Sequence, residues 1–252
     1  MVLGDNTMTI PTIEYPQVSI ANSELRHIES SVIGQDYQIK IRLPEDYANT
    51  TNLYSVLYLL DGDHAFAMAT DIVQYLIYGG HIPDLIIVSP AYGSKKAPGE
   101  GGKNMRDRDF DMTPEGDRYI DFLQKELIPF AESNYRVSPT DRTLWGYSSS
   151  GYFALYALFQ KPDLFQKYII VDGCDNEEHS KVEKIYAAHH SDLPIRLFLS
   201  APPERDDSKF FDNLSRRNYA NLRAEYAQLS EIGHFAIGAE GLTKGLVSVF
   251  GK

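Results

Sequence analysis

The chain has 252 residues, of which 43% are hydrophobic, and it carries a formal net charge of −11 at pH 7. This length and apolar content predict a single α/β domain over residues 1–252 with a sizeable core. The negative charge argues against nucleic acid or an anionic membrane as a partner. Cys174 is the one cysteine, which excludes an internal disulfide, and no apolar run is long enough to cross a bilayer.

The first 21 residues or so are polar and turn-rich, and they predict an irregular segment. They lack a basic start followed by an apolar stretch, so a cytoplasmic location is expected unless a leader has been removed. Two strand-like stretches follow, Leu25–Ile33 and Tyr37–Leu43, and the short turn that begins at Gly34 predicts a β-hairpin between them.

Short apolar runs then alternate with helical patterns along the chain. The predicted strands are Tyr54–Leu60, Leu85–Val88, Thr143–Trp145, Tyr168–Val171, Ile195–Ser200 and Ala224–Leu229. The predicted helices are 64–78, Tyr119–Phe130, the stretch after 150, Glu178–His189, Ser208–Tyr219 and Leu242–Phe250. A hairpin followed by this alternation predicts an α/β fold with a mostly parallel sheet and helices on both faces. In such sheets, ligands bind outside the carboxyl ends of the strands.

The stretch Leu144–Leu155 has the layout of a nucleophile elbow, a sharp turn between a strand and a helix that exposes a serine hydroxyl. The usual pattern is G-x-S-x-G, and here Ser150 replaces the second glycine. Ser148 has small residues two positions before and after it, whereas Ser149 or Ser150 would place a tyrosine at a crowded position. Ser148 is therefore the predicted nucleophile, and the alternative is a serine-rich helix cap.

A serine hydroxyl needs a general base, and His234 lies in a short loop after the last predicted strand. This position fits the chain order serine, acid, histidine of α/β-hydrolases. The other histidines form no pair with convincing metal-ligand spacing, so we predict no metal and no cofactor.

The acid is expected after the strand Ile195–Ser200, where three carboxylates compete. Glu204 is closest to the strand end and is the preferred candidate, whereas Asp206 or Asp207 would alternatively cap the next helix. Backbone N–H groups must stabilise the developing oxyanion. We expect one from Ser149, and another from Gly62 or Asp63 after the strand Tyr54–Leu60.

Motifs spread from about residue 24 to the end carry a family resemblance. They are Val56–Gly62, Arg106–Phe110 before Thr113 and Pro114, Tyr135–Val137, Asp141–Ser148, Lys161–Phe165, and Gly233–Phe235 before Leu242–Leu246. The chain resembles the "Putative esterase" family of α/β-hydrolases, which includes siderophore trilactone (enterobactin-type) esterases and is related to S-formylglutathione hydrolases and feruloyl esterases. The resemblance implies an α/β-hydrolase fold and a serine ester hydrolase with Ser148 as nucleophile and His234 as base.

The chain departs from the family pattern at Tyr147, where members usually carry histidine, and at Ser150, where they carry glycine. Pro202 and Pro203 stand where a glycine and a glutamate are common, which leaves open whether Glu204, another carboxylate or none serves as the acid. The expected reaction is hydrolysis of a small-molecule ester, siderophore-type or aromatic, through an acyl-enzyme. The alternatives are acyl transfer to another alcohol on the same fold, and a non-catalytic binding protein.

The segment Ala91–Met112 is long, irregular, and rich in glycine and charge, as is typical of a functional loop. We expect it to form part of the pocket rim, with Arg106 or Arg108 facing the substrate, because a guanidinium binds oxygen-rich groups in two places. The alternative is that Arg108, together with Asp109, only pins the loop to the core. Tyr147 and His64 are further candidates for substrate binding, although His64 also suits a helix start.

Overall fold

A computed structural model describes residues 18–94, 104–174, 177–205, 207–230 and 233–251. Within these ranges, eight strands form one sheet in the order β1-β2-β4-β3-β5-β6-β7-β8. The strands are β1 (Ser23–Ser30), β2 (Gln35–Arg42), β3 (Tyr54–Leu59), β4 (Leu85–Ala91), β5 (Val137–Tyr147), β6 (Lys167–Val171), β7 (Arg196–Ala201) and β8 (Arg223–Gln228). The pairs β1–β2 and β2–β4 are antiparallel, and the remaining pairs are parallel.

Helices cover both faces of the sheet. They are α1 (Gly62–Tyr78), α2 (Arg106–Asp109), α3 (Pro114–Phe122), α4 (Ile128–Asn134), α5 (Ser149–Gln160), α6 (Glu177–Ala187), α7 (Ser208–Arg217) and α8 (Ile237–Phe250). A π-helical turn, Leu123–Leu127, joins α3 to α4. None of the helices in the described ranges combines the length and apolarity that a bilayer crossing requires.

The central strands explain why the chain folds into these layers. Every residue of β3 is buried, as expected for a strand that is covered on both faces. Leu57 and Leu59 contribute to the core beneath α1 and α8, whereas Val56 and Tyr58 contribute to the opposite core, which includes residues of α3 and α5. This alternation confirms the predicted α/β fold.

The predicted strands and helices are all found, with shifted ends. Strand β5 begins at Val137, six residues earlier than predicted, because Val137 pairs with Tyr54 before the register shifts. Helix α8 begins at Ile237, five residues earlier than predicted. The segment 91–112 contains the short helix α2, and its residues 95–103 lie outside the described ranges, as does 1–17 of the predicted irregular start.

The parallel strands bring several turns to one edge of the sheet. Tyr147 at the end of β5 pairs with Val171 at the end of β6, and Val171 pairs with Ser200 on β7. Strand β3 ends beside β5, where Leu59 pairs with Trp145. The turns that follow these strands are therefore neighbours, and they carry most of the predicted site residues.

Candidate active site

Ser148 occupies the turn between β5 and α5, with φ 58° and ψ −125°. A residue with a side chain rarely adopts this backbone region, and holding one there costs free energy. The Ser148 N–H donates a hydrogen bond to the Val171 carbonyl oxygen (3.0 Å), and the Tyr152 N–H donates one to the Ser148 carbonyl oxygen (2.9 Å). Strand and helix thus hold Ser148 in a strained turn that has the layout of a nucleophile elbow.

The residues around Ser148 lie in the helix or are packed against it, unlike Ser148 itself. Ser149 is the first residue of α5. Ser150 is fully buried, and its Oγ donates a hydrogen bond to Asp61 Oδ2 (2.5 Å). A Cβ on Gly146 would lie 2.2 Å from the Ser150 carbonyl oxygen, so the turn requires glycine two residues before Ser148.

His234 lies in the turn before α8 and contacts the elbow through an aromatic ring. Its ring stacks on the ring of Tyr147, with centroids 5.2 Å apart and planes at 27°. Its Nδ1 is hydrogen-bonded to a carboxylate oxygen of Asp172. A carboxylate that accepts the Nδ1 proton leaves Nε2 with the free lone pair of a general base.

The partner of His234 is Asp172, which the sequence analysis did not single out. Asp172 follows β6 directly, has a left-handed φ of 51° and is fully buried. Its N–H donates to the Ser200 carbonyl oxygen (2.6 Å), which fixes it between β6 and β7. On its other side, Arg205 Nη1 lies 3.2 Å from Asp172 Oδ1. In the sequence, its signal is an aspartate directly after the predicted buried strand Tyr168–Val171, which makes Asp172 a candidate but does not choose it over Glu204.

The prediction that Glu204 orients His234 is therefore corrected. Glu204 is exposed, although a Cβ on Gly233 would lie 3.8 Å from its Oε1. The turns after β6 and β7 lie side by side, so both bring a carboxylate near the histidine loop, and the buried one contacts the imidazole. Of the alternatives, Asp207 accepts a hydrogen bond from the Cys174 N–H (3.4 Å), and Asp206 lies outside the described residues.

The predicted oxyanion-hole residues begin two helices at this edge. Ser149 is the first residue of α5, and Gly62 and Asp63 are the first residues of α1. The first N–H groups of a helix have no partner inside the helix and carry the positive end of its dipole. These helices follow the paired strands β5 and β3, so the geometry is compatible with donors that converge from two sides.

Arg106 binds inside the protein, contrary to the expectation that it faces the substrate. Its Nε and Nη2 donate to the two carboxylate oxygens of Asp61 (2.6 and 3.1 Å), and Nη2 also donates to the Tyr147 carbonyl oxygen (3.0 Å). Its side chain is 11% exposed. Desolvation lowers the pKa of Arg106, but the charge of Asp61 and its hydrogen bonds raise the pKa overall.

Arg108 likewise pins the loop. Its Nε donates to Asp109 Oδ1 (2.7 Å), and its Nη2 donates to Gln35 and to the hydroxyl of Tyr37. Asp109 is almost fully buried and also accepts hydrogen bonds from Tyr37 and Tyr92. Pinning, the alternative for Arg108, therefore fits the contacts of both arginines, because internal carboxylates bind their N–H groups and Gln35 and Tyr37 also bind Arg108.

Three further aromatic or histidine residues lie at this edge of the sheet. Tyr147 is stacked between Trp145 and His234, and burial, followed by the charge of Asp172, raises its pKa to about 12. His64 is exposed on the first turn of α1, as its helix-start interpretation predicts. Phe235, which sequence reasoning missed, is 97% exposed and meets the His234 ring edge to face at 5.1 Å.

Comparisons with known proteins agree with this architecture. The chain matches the model of the family described as "Putative esterase" over residues 30–191. It is 26% identical over 255 residues to the ferri-bacillibactin esterase BesA of Bacillus subtilis, covering 87% of the chain and 86% of that protein. It is 30% identical over 184 residues to the siderophore triacetylfusarinine C esterase of Aspergillus fumigatus, covering 66% of the chain and 58% of that protein. The crystal structure of the BES protein from Bacillus cereus superimposes with a TM-score of 0.80 at 24% identity, covering 94% of this chain and 98% of that one.

Proposed function

The chain belongs to the "Putative esterase" family, and from this premise we propose that it is a serine hydrolase that cleaves carboxylic esters through an acyl-enzyme on Ser148. Family membership and the two named esterase relatives support ester hydrolase activity. One observation carries the serine mechanism: Ser148 lies on a strained elbow directly after Tyr147, and the ring of Tyr147 stacks on a histidine that is hydrogen-bonded to a buried carboxylate. The chain order Ser148, Asp172, His234 is that of the α/β-hydrolases.

The proposed reaction assigns one role to each group. His234 Nε2 removes the hydroxyl proton as Ser148 Oγ attacks the ester carbonyl carbon, and Asp172 stabilises the imidazolium that forms. The N–H groups of Ser149 and of Gly62 or Asp63 bind the oxyanion. The imidazolium then protonates the leaving alcohol, and a water activated by His234 hydrolyses the acyl-enzyme.

We propose a siderophore-type ester with an aromatic acyl group as the substrate class. One relative is named a ferri-bacillibactin esterase, and the other is named a siderophore triacetylfusarinine C esterase. In this chain, the exposed ring of Phe235 contacts His234 and offers a flat apolar surface beside the proposed base. An aromatic acyl group would stack on such a ring, which adds binding free energy beyond area burial.

The test is a hydrolysis assay with chromogenic esters of graded acyl length beside a catechol trilactone. We expect Ser148-dependent release of the carboxylic acid, and a loss of about 10³-fold or more in Ser148→Ala. Ser149→Ala serves as the matched control, because it removes a neighbouring hydroxyl and leaves the backbone donor in place. An active Ser148→Ala with an inactive Ser149→Ala would overturn the assignment.

The same assay addresses acyl transfer. An excess of acceptor alcohol diverts the product from acid to new ester only if the acyl-enzyme reacts faster with that alcohol than with water. A binding protein without catalysis would give no turnover of any ester.

A further inference from the structure

Asp61 joins the two helices that begin at the active-site edge. It follows β3, has a left-handed φ of 59°, and its side chain is 9% exposed. Its Oδ2 accepts a hydrogen bond from Ser150 Oγ (2.5 Å) in the first turn of α5, and both of its oxygens accept from the fork of Arg106. One carboxylate therefore crosslinks the start of α1, the start of α5 and the helix α2.

The same network holds the peptide that precedes the nucleophile. The Tyr147 N–H donates to Ser150 Oγ (2.9 Å), and the Tyr147 carbonyl oxygen accepts from Arg106 Nη2 (3.0 Å). Both polar groups of Tyr147 are thus bound by partners of Asp61. In the G-x-S-x-G pattern the position of Ser150 is a glycine, which has no hydroxyl and cannot make this link.

We propose that Asp61 is a positioning residue of the oxyanion hole, with Ser150 and Arg106 as the groups through which it sets the spacing between the N-termini of α1 and α5. This inference rests on the proposed function. Asp61 immediately precedes Gly62, and Ser150 immediately follows Ser149, so the crosslink lies one residue from each proposed oxyanion donor. Displacements of about 1 Å at such donors are sufficient to cost about 100-fold in rate.

Arg106 has a second role in this arrangement, because Asp61 carries a negative charge next to the place where the oxyanion develops. The bidentate contact neutralises that charge. Without Arg106, the carboxylate would oppose the transition state, so a variant that removes both charges should be more active than one that removes the arginine alone.

The chain offers a matched control at the opposite end of the same strands. Ser55 Oγ on β3 donates to Asp141 Oδ2 on β5 (2.6 Å), and Asp141 forms an ion pair with Lys167. Ser55 is 8% exposed. This serine–aspartate–cation set resembles Ser150, Asp61 and Arg106 in chemistry, and it lies at the other edge of the sheet, away from Ser148. The Asp141 side chain is more exposed (35%) than that of Asp61 (9%).

The experiment compares Ser150→Ala, the nearly isosteric Asp61→Asn and the control Ser55→Ala, with a small neutral chromogenic ester as substrate. We expect kcat to fall by about 10- to 100-fold in the first two variants while KM stays within about twofold, because the donors act on the transition state. Inhibition by phenylboronic acid, which forms a tetrahedral adduct on a serine, should weaken in parallel. Ser55→Ala should lower the melting temperature and keep kcat within about twofold.

The double variant Arg106→Met/Asp61→Asn should have a higher kcat than Arg106→Met. Unchanged kcat and boronate affinity in folded Ser150→Ala and Asp61→Asn would overturn the inference, as would equal losses of kcat in these variants and in Ser55→Ala. The wild-type protein and Ser148→Ala are measured in the same assay. Turnover that does not depend on Ser148 contradicts the proposed function, whereas Ser148-dependent turnover that is indifferent to Ser150 and Asp61 contradicts only this inference.

Discussion

Replacing Asp172 by asparagine tests the residue that the structure pairs with His234. The substitution keeps the shape of the side chain and removes its charge. Asp172 is fully buried and contacts His234 Nδ1, so the imidazolium that forms during attack loses its ion-pair partner. For charges about 4 Å apart at an effective dielectric constant of about 20, this interaction amounts to about 4 kcal/mol, or roughly 10³-fold in rate.

The His234 side chain is 28% exposed, so solvent screens part of that interaction and the expected loss in kcat/KM is about 10²- to 10³-fold. The assay is steady-state hydrolysis of a neutral chromogenic ester, together with thermal unfolding to show that the variant is folded. The matched control is Glu204→Gln, which neutralises the exposed carboxylate near the same loop and should change kcat/KM by less than about twofold. An active Asp172→Asn beside an inactive Glu204→Gln would refute the reasoning.

Three further outcomes are expected. Gly146→Ala should lower the melting temperature and abolish most ester turnover, because the new Cβ would lie 2.2 Å from the Ser150 carbonyl oxygen; full activity would contradict the tight elbow. Arg108→Leu should lower the free energy of unfolding in urea by about 1–3 kcal/mol and affect all esters alike, since it deprives the buried Asp109 of a partner; a raised KM confined to acidic esters would instead indicate a substrate-facing arginine. Glu240→Gln should lower the melting temperature at pH 7, and its difference from wild type should shrink as the pH falls towards 2. Hydrogen bonds from Lys244 and Ser230 lower the pKa of Glu240 from 4.5 to about 2 in the folded protein. Its contribution to stability is therefore fully present above the pKa of the unfolded chain and is lost as the pH falls through the pKa of the folded protein. A difference in melting temperature that does not change with pH would contradict this.

The sheet could be predicted from the sequence because its central strands are nearly continuous apolar runs. Buried strands such as Tyr54–Leu59 need no long-range information to be recognised, and small residues around Ser148 mark the elbow by local crowding. The start of a strand is harder to predict, as β5 illustrates. A mostly polar stretch, 138–141, separates Val137, which pairs with Tyr54, from Arg142, which pairs with Val56 after a shift of register.

The acid could not be chosen from the sequence, since two adjacent strands each end in a turn that bears a carboxylate. Asp172 follows β6 directly, and Glu204 follows β7 three residues after its last residue, Ala201. His234 lies about 60 residues after Asp172 in the sequence. The long-range packing of its loop therefore decides which of the two carboxylates contacts the imidazole. The role of Arg106 was missed for the same reason, because its partner Asp61 is 45 residues away.

Covalent labelling of the serine tests the central claim most directly. The protein is incubated with a fluorophosphonate probe, and the modified residue is identified by intact mass and peptide mapping. The account predicts one adduct, on Ser148, that is absent from Ser148→Ala and is suppressed by a competing ester substrate. An adduct on Ser149 or Ser150, or ester turnover by a protein whose Ser148 is never labelled, would contradict it.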